Sequence, residues 1–474
     1  MMKLKKFQLH TPFAHSCNRV EIYTARFGPT PFSTKANNLK QPESTLNDHR
    51  TIAARQKLYT TSILTPGSIF FLPHGTRIYN RLVDFLRAQY QIHGFEEIIT
   101  PLIFKKDLWE KSGHWQNYEK EIFRVEESRN VEDEHSNATY GLKPMNCPGH
   151  CIVYASTERS YKELPLRFAD FSPLHRNEAS GALSGLTRLR CFHQDDGHIF
   201  CSPESIKDEI KNTLTFVKQV YSLLGMNKLK LYLSTRPEEH IGSLDTWNEA
   251  ENGLREALQE SGETWIINEG DGAFYGPKID VMVADARGKW HQTATIQLDF
   301  NLPQRFKLYY RTDAGDNAGS EKLIKQPVMI HRAIFGSLER FMGILIEHLN
   351  GHWPFWLSPR HAVILPVNQT DRILTYAKQV QKELSNQEVN ESEFLPLNKN
   401  TYYVDINAEA QSIGKRLRES RLLNYNYEIV IGEDEVDKEI LSVSSRHNHN
   451  SRDTRKMTIQ QLKKEFIENV KAYR

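Results

Sequence analysis

Residues 168–200 read FADFSPLHRNEASGALSGLTRLRCFHQDDGHIF. Two halves with alternating apolar residues flank a loop rich in Gly, Ser and Ala. That pattern predicts an antiparallel hairpin with a long connection. Its charges set it apart. Arg176, Arg188 and Arg190 gather at the hairpin with Glu178, Asp195 and Asp196. A hairpin built only for stability has no reason to concentrate both signs. A site that grips a polyanion and a zwitterion does, because guanidinium forks match phosphate and carboxylate geometry.

Outward from this stretch, the 474-residue chain is long enough for two or three domains. A hydrophobic content of 39% and a charged content of 25% suit a soluble globular protein. No apolar run approaches the length of a membrane span, so membrane insertion is not expected. The formal net charge is only +2, so any nucleic-acid binding must come from local patches. Five cysteines (Cys17, Cys147, Cys151, Cys191 and Cys201) suggest a reducing compartment rather than a disulfide framework. In the first forty residues, Lys3, Lys5, Lys6, Arg19, Arg26, Lys35 and Lys40 face a single acid, Glu21. Interspersed Ser, Thr, Asn and apolar residues give this leader the composition of a mitochondrial transit peptide. The alternative is a basic arm that touches RNA.

Downstream, Asp48 is placed to cap a helix over 51–59. Residues 76–94 carry Ile78, Leu82, Phe85, Leu86 and Tyr90 on one helical face, and 95–100 (FEEIIT) reads as a strand closed by Pro101. The polar stretch 126–138 reads as a surface insertion. The two prolines and two glycines of 141–150 (GLKPMNCPGH) predict a shaped loop. Helices are expected at 203–225 and 246–261, strands at 229–234, 279–284 and 290–300, and a strand entering a helix at 328–349. From 361 onward, strands at 361–367, 401–407, 428–431 and 440–444 alternate with helices at 372–387, 408–424 and 458–472. This is the texture of a small α/β domain. Lys415, Arg416, Arg418 and Arg421 crowd one of its helices.

FSPLHRNE (171–178) followed by RCFHQDD (190–196) resembles motif 2 of the class II aminoacyl-tRNA synthetases, in wording closest to the threonyl-tRNA synthetases. The helix, strand and proline of 76–101 resemble motif 1, which builds the family's dimer interface. The strand–helix unit of 328–349 resembles motif 3, and the final domain resembles the family's anticodon-binding domain. The resemblance implies an α+β fold: a leader at 1–45, a catalytic domain on an antiparallel sheet at 46–358, and an α/β anticodon-binding domain at 359–474. The implied activity is ATP-dependent activation of threonine and its transfer to the 3′ end of tRNA(Thr) by a homodimer in the mitochondrial matrix. The alternatives are another class II synthetase of prolyl or seryl type, or a non-catalytic RNA-binding relative.

Activation joins two anions, so it requires fixed positive charge and in-line positioning. The resemblance assigns Arg176 to the α-phosphate and the amino-acid carboxylate, Glu178 to the adenine amino group and Arg188 to the γ-phosphate. Phe192 and Arg340 would cover the two faces of adenine, with Mg²⁺ on the phosphates. Threonine differs from valine by a hydroxyl in place of a methyl, and a buried polar ligand separates such a pair far better than an apolar pocket. A zinc ion with open positions is such a ligand. In the family it is held by one Cys and two His, which match Cys147, His198 and His331 here. Gly197 stands where the family carries alanine. Asp196 and Gln194 would contact the substrate, with Tyr275 and Gln292 lining its pocket. His114, in KSGHW (111–115), matches a family histidine near the terminal tRNA ribose, with a part in acyl transfer. The combined His-x-x-x-His and Cys-x-x-x-His pattern of an editing domain is absent, and no room for that domain is expected before Asp48. Serine, lacking one methyl, would then be rejected by only ~1–3 kcal/mol.

Overall fold

A computed structural model describes residues 47–126, 139–312, 324–386, 401–446 and 454–474. The expected leader and residues 127–138 of the polar insertion lie outside the described residues. The described residues open with α1 (His49–Gln56), capped by the Asp48 carboxylate, and α2 (Pro73–Ile92), whose apolar face from Ile78 to Tyr90 is buried. Then come β1 (Glu96–Glu97), α3 (Cys147–Ala155), β2 (Leu166–Asp170) and β3 (Cys191–Cys201). Next are α4 (Ile206–Leu223), β4 (Leu229–Ser234), α5 (Leu244–Glu260) and β5 (Trp265–Asn268). Strands β6 (Lys278–Ala284), β7 (Trp290–Asp299) and β8 (Val328–Ser337) lead into α6 (Leu338–His348).

These strands form a nine-stranded sheet in the order β5-β4-β6-β7-β8-β3-β2-β1, with Pro173–His175 also paired to β3. Only its outer pairs, β4 with β5 and β1 with β2, are parallel. The hairpin expected at 168–200 is the β2–β3 pair. Helices α4 and α5 cover one face of the sheet, where Ile296, Ile330 and Ile199 join the main core. The opposite face carries the polar site.

Residues 362–457 build a second sheet. Its strands are β9 (Ala362–Pro366), β10 (Val404–Ile406), β11 (Tyr427–Ile431), β12 (Leu441–Ser445) and β13 (Arg455–Met457), in the order β10-β9-β11-β12-β13. Helices α7 (Asp371–Leu384), α8 (Ile413–Leu422) and α9 (Ile459–Lys471) accompany it, with a short helix at Glu433–Lys438 that periodicity did not signal. Arg77 ties the two sheets' domains together. It donates to the Pro359 carbonyl at 3.0 Å and stands 3.8 Å above the Tyr403 ring.

Three expectations are corrected. The motif 1 strand is only Glu96–Glu97, although Ile98 still donates to the Ala169 carbonyl. Residues 147–155 are helical rather than looped, because Pro148 falls in the first turn, where no N–H is required, and Gly149 fits against Thr100. The helix expected at 408–424 is only Ile413–Leu422, and on it Arg416 is buried and donates to the Asn407 carbonyl at 2.8 Å.

Helix α1 is clamped to α6. His49 Nδ1 donates to Glu347 at 2.8 Å, while His49 Nε2 accepts from the Leu186 amide at 3.2 Å. Arg287 closes the other side of the Glu347 carboxylate. Burial pushes this carboxyl up, but the His49 donors and the Arg287 guanidinium outweigh it and hold it at about 2, below the usual 4.5. A carboxyl lowered on folding stabilises above its unfolded pKa, and that stability fades as pH falls through the folded one. Glu347→Gln is therefore expected to cost about 1–2 kcal/mol at neutral pH. In urea titrations the gap from the native chain should close below pH 4.5 toward 2. A gap that stays constant with pH would remove the charge from this account.

Candidate active site

Register builds the site. Across β7, β8, β3 and β2, Gln297 pairs with His331, His331 with His198, and His198 with Phe168. The next row on the same face is Thr295, Ala333, Asp196 and Asp170. Paired residues of antiparallel strands project to one face, and so do residues two apart. From these rows Gln297, His331, His198, Thr295, Ala333 and Asp196 floor a cavity of about 230 Å³, walled by Cys147, Met145, Arg176, Gln194, Tyr118 and Tyr275.

Cys147 is the first residue of α3, and its Sγ reaches over the sheet. The ligand atoms of Cys147, His198 and His331 all lie within 4.8 Å of one another, and all three residues are buried. His331 Nε2 donates to the Asp299 carboxylate at 2.9 Å, which leaves Nδ1 facing inward. His198 Nδ1 meets His150 Nδ1 at 2.8 Å, which leaves Nε2 facing inward, 2.9 Å from His331 Nδ1. The donor set therefore fits a zinc ion, with an outer carboxylate on one imidazole and an open side toward the cavity. Burial pushes the Cys147 thiol well up and the His198 imidazole well down, so both are neutral until a cation arrives.

Around this group, Asn146 Nδ2 donates to Asp196 at 3.1 Å, and burial raises the Asp196 carboxyl above its usual range. The Tyr275 hydroxyl donates to Gln297 Oε1. His114 is fully buried rather than on an exposed loop. Its Nδ1 lies 2.8 Å from Ser112 Oγ, and its Nε2 lies 3.2 Å from Met145 Sδ and 3.6 Å from Cys147 Sγ. Burial, with the charges of His331, Arg305 and Arg176, lowers its pKa to about 3.

The arginines spread along one side. Arg176 lines the cavity, and its guanidinium stands 5.2 Å from the Phe192 ring centre. Arg188 is largely exposed and pairs with Glu178 at 2.8 Å. Arg340 lies in the first turn of α6, where Ser337 caps the helix. Its neighbour Glu339 accepts from the His193 amide at 2.9 Å and ring at 2.8 Å, locking α6 to β3.

Residues 123–349 match the tRNA synthetase class II core domain (G, H, P, S and T), and residues 361–469 match the anticodon binding domain. The chain is 47% identical over 470 residues to the mitochondrial threonine–tRNA ligase of Saccharomyces cerevisiae, covering 97% of this chain and 98% of that one. It belongs to the class II threonyl-tRNA synthetases. It is also 47% identical over 404 residues to the cytoplasmic threonine–tRNA ligase of the same yeast, of which it spans about half (51%). The crystal structure titled as the RNA binding domain of threonyl-tRNA synthetase from Cryptosporidium parvum Iowa II superposes with a TM-score of 0.79. That pair shares 44% identity and covers 89% of this chain and 98% of the other.

Within this threonyl-tRNA synthetase fold, one expected pocket residue stands elsewhere. Gln292 does not line the cavity of Cys147, His198 and His331. A register shift between Asp280 and Met282 adds a residue to β7, so Gln292 opposes Met282. It donates to Asp280 at 2.6 Å and lines a neighbouring cavity with Arg340 and Thr187. Gln297 takes the pocket position instead, together with Thr295. Strand alternation from His331 outward would have found Gln297 once the pairing was known; the sequence alone did not supply that pairing. In ATP–pyrophosphate exchange, Gln297→Leu is expected to raise the amino-acid KM more than tenfold. Gln292→Leu should change it less than threefold, and the opposite ranking would return Gln292 to the pocket.

Proposed function

We propose that the chain is a threonine–tRNA ligase that activates threonine with ATP and charges tRNA(Thr) in the mitochondrial matrix. The observation that carries this reading is the convergence of Cys147, His198 and His331 in one cavity with Asp196, Gln194, Tyr275 and Arg176. Cys147, His198 and His331 would hold Zn²⁺, which when bound offers Lewis-acid contacts to the substrate's amino and hydroxyl groups. Asp196 receives the hydroxyl hydrogen, and the Tyr275–Gln297 pair closes the side-chain end of the pocket. Valine leaves these polar groups unpaired and is rejected for that reason.

Arg176 holds the amino-acid carboxylate against the α-phosphate, and its neighbour Phe192 stacks on adenine. Glu178 takes the adenine amino group, Arg188 leaves its ion pair for the γ-phosphate, and Arg340 covers adenine from α6. Mg²⁺ arriving with ATP would supply the remaining counter-charge for the phosphates. His114, with its ring beside Cys147 and Met145, orients the terminal ribose for acyl transfer.

The wider assignments follow the same reading. Residues 1–45 serve as the mitochondrial leader, 46–358 as the catalytic domain and 359–474 as the anticodon-binding domain. A homodimer forms through motif 1, around which Ile92 and Ile99 are 75% and 84% exposed. Among the described residues no helix is long and apolar enough to cross a membrane. A prolyl-type pocket gives no reason to gather a thiol and two imidazoles. A non-catalytic relative gives none to keep Arg176 beside Phe192.

Exchange of pyrophosphate into ATP with a panel of amino acids tests the reading. Threonine should drive exchange strongly, serine more weakly, and valine and proline hardly at all. His114→Ala should slow transfer to tRNA more than adenylate formation. Proline-dependent exchange, or none with any amino acid, would overturn the proposal.

A further inference from the structure

Behind the metal-ligand candidates lies a second buried layer that the proposed chemistry leaves unused. His150 sits on α3, one turn after Cys147, and is fully buried with Asp170 and Lys143. Its Nδ1 is 2.8 Å from His198 Nδ1, and its Nε2 is 3.6 Å from Asp170 Oδ2. Asp170 accepts from Thr100 Oγ1 at 2.8 Å and from the Ser172 amide at 2.8 Å, and Lys143 Nζ stands 3.6 Å away. Burial raises the Asp170 carboxyl, but these donors more than reverse it, so it stays ionised.

The hydrogens can now be placed. A neutral imidazole carries one N–H. Two Nδ1 atoms 2.8 Å apart share one hydrogen, so one ring donates and the other accepts. Asp170 breaks the tie, because an ionised carboxylate only accepts. It favours the hydrogen on His150 Nε2, which leaves His150 Nδ1 bare. The reverse tautomer would aim a lone pair at a buried anion. His198 must then carry its hydrogen on Nδ1, and its Nε2 is bare. On the other side Asp299 takes the hydrogen of His331 Nε2, so His331 Nδ1 is bare as well. Two lone pairs thus face each other across 2.9 Å beside the Cys147 sulfur, an arrangement that calls for a cation between them.

We propose that Asp170 and His150 are positioning residues that fix the ring tautomer of His198 and thereby prepare the Cys147, His198 and His331 set for a divalent cation that binds thiolate and imidazole. The inference rests on reading those three residues as metal ligands. Nothing in the family resemblance used above assigns a part to His150 or Asp170.

The test uses the purified full-length chain and zinc itself. Affinity is read by competition with a chromophoric chelator for the native chain, Asp170→Asn, His150→Phe and His150→Gln. Asp170→Asn and His150→Phe should bind zinc 10–100-fold more weakly, the range expected for outer-shell partners. His150→Gln keeps an oxygen that accepts from His198 Nδ1, and it should lose at least fivefold less than His150→Phe. Far-UV circular dichroism checks that each variant folds. Zinc affinities within twofold of the native chain in all three would overturn the proposal. Where a variant does not fold, ¹⁵N shifts of the histidine rings in the native chain decide instead. The hydrogens should lie on His198 Nδ1 and His150 Nε2, and the opposite placement overturns the relay. A native chain that takes up no zinc defeats the ligand assignment, while the same ¹⁵N shifts still judge the tautomers.

Discussion

The pairing of His331 on β8 with His198 on β3 is the constraint on which the site depends. Side chains alternate along a strand, so a slip of one residue in either strand would turn its histidine to the other face. In place of the histidines the site would then receive Arg332 and Gly197, which also pair with each other. The register is held by what lies behind it. Ile330, Ile199 and Ile296 are fully or almost fully buried under α4 and α5, and a one-residue slip would turn each of them to the polar face.

Arg332 is the exception on that apolar face, and its surroundings explain it. Its guanidinium lies 3.8 Å from the Phe95 ring centre and 4.1 Å from that of Tyr90, with Phe216 at 5.3 Å. Aromatic faces offset part of the cost of burying this cation. Gly197 lies against the same group: a Cβ there would come 3.1 Å from Phe95 and 3.2 Å from Arg332 Nε. A glycine at this position therefore spares the packing behind His198 a crowded Cβ. Asp195 ties the adjoining backbone down, accepting from the Ile334 amide at 2.8 Å and the Tyr90 hydroxyl at 2.8 Å. The site face is polar and open, whereas its back is packed, with Arg332 held by aromatic faces while its Nη1 and Nη2 have no hydrogen-bond partner.

Much of this was legible in the sequence where periodicity is long. Strand β4 falls on 229–234 as expected, and the apolar face of α2 is the one its spacing indicated. Of the candidate site residues on β3, Gln194 and Asp196 within the motif 2 stretch and His198 just beyond it line the cavity. The misreadings share a cause: they depend on contacts between distant segments. Pro148 and Gly149 suggest a loop until Thr100 is seen against Gly149 and the first-turn position of Pro148 is known. Gln292 and Gln297 are five residues apart, and only the bulge between Asp280 and Met282 puts both on one face, Gln297 beside His331 and Gln292 farther along against Asp280. The burial of His114 comes from Met145 and Cys147, about thirty residues away, and no local pattern announces it. The burial of Arg416 is of the same kind, because the carbonyl it serves, that of Asn407, lies outside its helix.

Specificity in this account is carried by a sulfur and two ring nitrogens, brought together by one helix start and two strands. X-ray absorption at the zinc edge of the purified chain measures that set directly. The account predicts near-stoichiometric zinc with one sulfur at about 2.3 Å and imidazole nitrogens at about 2.0–2.1 Å. A metal-free protein, or a zinc shell without sulfur, would contradict it.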